Sequence, residues 1–209
     1  MKRWLYFFVI LAVIVGVAYW VYGHRVWLGW GGVGGGVPTE VPETDLAPAQ
    51  LVWRGVDRSG DGFRIDMPAD THETQAPAYT GDGGVEQMEM LIAMPNANTT
   101  YAVAWDDDPP VERASGEVAE RTLDHARDGA LARTRTALVK ESRDSYMGYP
   151  ARSFSARNDA GGLLDARLIL AGKRLYMMMV ALPAASARRE DDIDRFFGSF
   201  KLIGAAQGG

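Results

Sequence analysis

No cysteine occurs among the 209 residues of the chain. That absence excludes a disulfide scaffold, a thiol redox motif, a thiolate metal site and a lipid-attachment cysteine behind a signal peptide. Histidine is scarce as well, and His24, His72 and His125 lie far apart. There is no HExxH, no GxSxG and no GxxxxGK followed by serine or threonine, so the common zinc, nucleophile and phosphate-loop signatures are missing. Basic clusters are missing too, because 22 Lys and Arg face 27 Asp and Glu. Nucleic acid and anionic headgroups favour basic patches, so neither is an expected ligand. These absences lead us to expect a non-enzymatic protein with no cofactor and no metal.

What the chain does have is a long apolar run near its start. Trp4 to Tyr22, WLYFFVILAVIVGVAYWVY, is about 19 residues and as a helix would rise roughly 28 Å, close to the thickness of a hydrocarbon core. A cleaved signal peptide is the competing reading. Its apolar region is normally about 7 to 15 residues and ends in small side chains, whereas this run ends in Tyr19, Trp20, Val21 and Tyr22. Trp4, Tyr6, Trp20 and Tyr22 suit the two membrane interfaces. Lys2 and Arg3 precede the run and Arg25 follows it, so the positive-inside bias puts the N-terminus in the cytoplasm and the rest outside it. The expected organisation is a transmembrane signal-anchor helix at 1–25, a Gly/Pro-rich tether at 26–50, a folded domain at 51–204 and a disordered tail at 205–209. Such a chain is single-pass in the inner membrane, with a periplasmic domain. A phosphate loop in the glycines of the tether would need a strand before it and a helix after it, and here prolines follow.

Within the domain, period decides the elements. LVWRGV and FRIDMP flank the loop Asp57 to Phe63, and Phe63, Ile65 and Met67 alternate with Arg64 and Asp66, as in a half-buried strand. VEQMEMLIAM, TYAVAWDDD, ALVKESR, ARSFSAR, LLDARLILA and RLYMMMVAL also read as strands, and their close spacing implies antiparallel neighbours. RLYMMMVAL is apolar on both faces, which requires cover on both sides. Ala119, Leu123, Ala126 and Ala130 form one narrow stripe on a helix expected over 117–137 and started by Ser115. Ile193, Phe196, Phe197 and Phe200 give a second helical stripe, after which Lys201 to Ile203 can return to the sheet. The sum is an α+β protein, an antiparallel sheet between helices.

MGYPARSF, DARLILAGKRLYMMMVALP and DIDRFFGSFKL together resemble the second half of the PsbP-like domains. That superfamily is shared by an extrinsic photosystem subunit, a Ran-binding import factor and many small exported bacterial proteins. The likeness is strongest from Leu138 to Ile203 and rests on Gly148, Pro150, Arg152, Arg167, Gly172, Arg174, Leu175, Tyr176, Phe196, Ser199 and Phe200. It implies a three-layer α/β/α sandwich with an antiparallel sheet. It also implies a binding or assembly-accessory role, with an envelope protein as the expected partner and no catalytic set.

Several residues could carry more than structure. DRSGDGF, Asp57 to Phe63, begins like an EF-hand loop, but the twelfth position is Pro68 where that loop needs a bidentate glutamate. A glycine-rich turn explains it without a metal. Met88, Met90 and Met94 could offer thioethers to Cu(I), against the plainer reading of core packing. The residues taken as candidates for partner binding are Tyr149, Arg152, Asp106, Asp107 and Asp108. Tyr149 and Arg152 could equally pack across the sheet, and the aspartates could be a solvated strand end or a weak divalent-cation site. The alternative to a partner-binding protein is therefore a small-ligand or divalent-metal-binding extracytoplasmic module.

Overall fold

The computed structural model describes residues 50–79, 85–96, 99–106 and 116–203. The segments read above as anchor, tether and tail lie outside these residues, apart from Gln50. Strands β1 Trp53–Arg58 and β2 Phe63–Pro68 form a hairpin. Then come β3 His72–Tyr79, β4 Val85–Asn96, β5 Thr99–Asp106, helix α1 Glu117–Thr134, β6 Ala137–Tyr146, β7 Tyr149–Arg157, β8 Leu163–Ala171 and β9 Arg174–Leu182. Helix α2 Glu190–Ser199 and the short β10 Lys201–Leu202 complete the described chain.

Two sheets result. The larger has seven antiparallel strands in the order β3-β4-β5-β9-β8-β7-β6, and the smaller is β1-β2-β10. Strand β9 lies in the middle of the large sheet, between β5 and β8, and alternates between two cores. Tyr176, Met178, Val180 and Leu182 join Phe63, Ile65 and Met67 of β2, Trp105 of β5, and Ile193, Phe196 and Phe200 at and beyond α2. Leu175 and Met177 point the other way, to Ala119, Leu123 and Ala130 of α1 and to Phe154, Leu164 and Leu168. The expectation that this strand is covered on both faces holds, and its cause is the apolar run itself.

The three-layer α/β/α sandwich is corrected, because the protein is mostly β and one outer layer is itself largely a sheet. The reason lies in hydrogen bonding. β10 pairs with β2, with Lys201 opposite Arg64 and Leu202 opposite Phe63, and Ile203 N–H donates to the Gly62 carbonyl at 2.7 Å. The opening hairpin thus has its own third strand and joins neither edge of the large sheet. A 10-residue α2 is only about 15 Å long, too short to span a seven-stranded sheet about 29 Å wide. The buried face of β2 does the rest of the covering. The transmembrane helix included in that fold expectation is not found either. Among the described residues no helix is long and apolar enough to cross a membrane, and Trp4 to Tyr22 lie outside them.

Two smaller differences have local causes. β3 was not expected because HETQAPAY shows no apolar alternation; an edge strand with one solvated side and a proline can lack it. The backbone before α1 is capped by Gly116, with φ 61° and no side-chain cap, while Ser115 lies outside the described residues. The apolar stripe is as expected, since Ala119, Leu123 and Ala130 are buried and Ala126 packs beside them.

Candidate functional site

Side chains on a strand alternate in direction, so β6, β7 and β8 present one set to α1 and another to the opposite face. On the α2 side, two cross-strand rows run over these strands. Lys140 lies opposite Ser155, which lies opposite Asp165; Ser142 lies opposite Ser153, which lies opposite Arg167. Beyond Ile193 and Phe197 of α2 these rows floor an open groove of about 220 Å³, which Arg188 also lines.

The polar groups of the groove are unequally committed. Asp165 accepts a hydrogen bond from Ser155 Oγ at 2.6 Å and pairs with Arg188. Arg188 also binds Glu190 at 2.6 Å. That bond raises the guanidinium above its usual range, burial opposes it, and Asp165 adds to the rise. Asp165 is therefore neutralised where it stands. Arg167 lies over the Phe197 ring, 5.5 Å from its centroid, and donates to Ser153 Oγ and to the Phe197 carbonyl, both at 3.4 Å. These distances lie beyond the usual N–H···O range of about 2.7–3.2 Å. Nearby, burial raises the Tyr146 phenol while the charge of Arg167 works in the opposite direction. That phenol donates to the Phe200 carbonyl at 2.7 Å.

On the other face of β7 sits Arg152, whose side chain is 0% exposed. It binds Glu120 at 2.6 Å and Asp124, both on α1, and reaches Glu141 of β6 at 3.0 Å. Arg127 links Asp124 at 2.9 Å to Glu141 at 2.8 Å, and Arg143 approaches Glu120 at 3.2 Å. Burial pushes the Asp124 carboxyl up, but the Arg152 hydrogen bond and the charges of Arg152, Arg127 and Arg143 outweigh it and hold the group below its usual range. Arg152 thus clamps α1, β6 and β7 together from within. Since Glu141 lies between Lys140 and Ser142, the clamp also fixes the strand that carries one wall of the groove.

The other sequence candidates are placed as follows. Tyr149 starts β7 opposite Tyr146 and packs, half-buried, against the aromatic core. Asp106 ends β5 opposite Leu175, whereas Asp107 and Asp108 lie outside the described residues. The opening loop is a turn. Asp57 Oδ1 accepts the Ser59 N–H at 2.8 Å, Ser59–Asp61 form one 3-10 turn, and Gly62 follows with φ 79°. The Tyr176 hydroxyl donates to the Asp61 carbonyl at 2.9 Å. A Cβ on Gly62 would stand 2.7 Å from that hydroxyl, so the position needs glycine for space as well as for φ. Among the described residues no three acidic or histidine side chains could hold a metal. Met88 is buried against the α1 side and Met90 packs beside it, while Met94 is exposed, which does not gather a thioether site.

Of the groove residues, sequence marks Arg167 as a position of the family resemblance, but not as part of a site. Asp165 and Arg167, two charges on one face of the otherwise apolar LLDARLILA, were the available signal.

Three of the positions that carried the family resemblance, Gly148, Gly172 and Ser199, are structural joints. Ser199 Oγ accepts the Asp66 N–H and donates to the Phe196 carbonyl, each at 2.9 Å, and Gly148 and Gly172 turn with φ 84° and 65°. Comparison with solved structures agrees. The solution structure of cyanobacterial PsbP (CyanoP) from Synechocystis matches 75% of this chain and 96% of its own at a TM-score of 0.50 and 12% identity. The fold is PsbP-like. Two crystal structures match less well. The Saccharomyces cerevisiae Ran-binding protein Mog1p has a TM-score of 0.43 at 10% identity, covering 74% of this chain and 97% of its own. A Pseudomonas aeruginosa protein of unknown function has a TM-score of 0.33 at 10% identity, covering 65% and 85%. No protein-family model and no curated protein sequence matches the chain. At these identities the PsbP-like likeness concerns the fold.

Proposed function

We propose that this chain is a non-enzymatic binding or assembly-accessory protein of the cell envelope, whose PsbP-like domain docks onto another envelope protein through the edge strand β6. Attachment to the inner membrane would come from the apolar run Trp4 to Tyr22, with the domain on the periplasmic side. The observation that carries the docking reading is the state of β6. It ends the seven-stranded sheet, pairs among the described residues only with β7, and exposes Leu138 and Val139 to 41% and 67%. A strand edge with unpaired N–H and C=O groups accepts an extended segment of a partner, and exposed apolar side chains beside it give that contact area. The register shift between Leu138 and Lys140 marks a bulge at Val139, which limits pairing with further copies of the same chain along the full edge.

Crosslinking in intact membranes, followed by mass spectrometry of what is recovered with the full chain, tests this reading. A reproducible envelope protein attached at β6 is the expected result. Recovery of the chain alone would overturn it.

A further inference from the structure

The groove on the α2 side of β6–β8 takes Lys140 and Ser142 from β6, but lies on the face of that strand rather than along its backbone edge. Its two rows hold Lys140 and Arg167, and among the described residues no carboxylate pairs with either. The nearest acid in the rows, Asp165, is already bound to Ser155 and Arg188. Arg167 is held in place by long, weak hydrogen bonds and by the Phe197 ring, which orients the guanidinium yet leaves N–H groups able to bind more strongly elsewhere. Ser153 accepts from Arg167, so its own proton remains to be donated. Ile193 and Phe197 add an apolar wall. The volume of about 220 Å³ leaves room for a small organic molecule.

We infer that this groove is a binding site for a small organic anion, with Arg167 and Lys140 holding its carboxylate or phosphate, Ser153 donating to the same group, and Phe197 packing against its body. A guanidinium on β8 and an ammonium on β6, with the Ser153 hydroxyl on the intervening β7, can form charge-assisted bonds to such a group. Two positive charges with which no described carboxylate pairs also repel each other less once an anion lies between them.

Calorimetric titration of the full chain in mild detergent at constant ionic strength tests the site, with citrate as the carboxylate probe and inorganic phosphate as the other. At least one should bind with a saturable one-to-one isotherm, and which one does distinguishes the two anion chemistries. A neutral polyol such as xylitol should bind at least about tenfold more weakly, since a charge-assisted bond is lost. Lys140→Glu should weaken anion binding by about tenfold or more, whereas Arg121→Glu, the same charge change on the exposed face of α1, should leave it unaltered. Where the reversal at 140 prevents folding, Lys140→Gln and Ser153→Ala give the same readout with smaller losses. Failure of both anions to bind the wild-type chain overturns the inference, as does an equal loss in Arg121→Glu. The titration is made on the purified chain without a partner, so its outcome and that of the crosslinking at β6 are read separately.

Discussion

The two faces of the seven-stranded sheet are covered by different physical means. On the face of the small sheet, Phe63 packs against Trp105, Tyr176 and Phe200 with centroids 5.1 to 5.6 Å apart, and Tyr101 meets Phe196 at 5.3 Å. On the other face, α1 buries two alanines and one leucine, with Ala126 and Leu131 packed beside them, and is tied to β6 and β7 by the Arg152 network. Large aromatic surfaces hold one layer by area. A narrow helical stripe supplies little area, so the second layer depends on oriented charges, whose worth falls with exposure.

That contrast can be broken on either side. Phe63→Ala opens a cavity where four aromatic rings meet, and the expected loss is about 3–5 kcal/mol, read from urea unfolding. Arg152→Met keeps most of the volume but leaves Glu120, Asp124 and Glu141 together. Here about 2–3 kcal/mol is expected, below the largest buried-pair losses, because these acids are partly exposed and Arg127 and Arg143 stay beside them. A double-mutant cycle of Arg152→Met with Glu141→Gln should show coupling; strict additivity would mean that the network does not act as a unit. On the aromatic side, Tyr176→Phe removes one hydrogen bond to the Asp61 carbonyl and should cost about 1 kcal/mol in the same assay.

Much of this division was legible in the chain. The double-sided RLYMMMVAL, the alanine stripe of α1 and the alternation in FRIDMP each express burial through period, and period survives in sequence. The return of Lys201 to Ile203 to a sheet was legible, but not the separate small sheet, because only the pairing of β10 with β2 shows which strand it joins. Edge strand β3 escaped because solvated strands need not alternate. The clamp around Arg152 and the groove around Arg167 were hidden more deeply. Both depend on which residues of successive strands come opposite, Arg143 with Arg152 and Ser153 with Arg167, and on the register that fixes it.

The smallest expected effect concerns pH and sharpens the charged side of the comparison. The Asp124 carboxyl is held below its usual range in the folded protein. A depressed carboxylate contributes stability that is fully present above its unfolded value, about 3.9, and is lost as pH falls through the folded value. Asp124→Asn should therefore flatten the acid limb of the stability profile below about pH 4. Thermal melts across pH 2 to 7 on the two proteins would show this, and parallel acid limbs would contradict it.

The most direct test of the account as a whole is a photo-crosslinking amino acid placed at Val139 of β6, compared with the same group at Asp128, 60% exposed on α1, in cells carrying the full chain. A discrete crosslinked envelope protein is expected from position 139 and none from 128. Identical patterns from both positions, or no adduct from Val139, would contradict a docking role for the β6 edge.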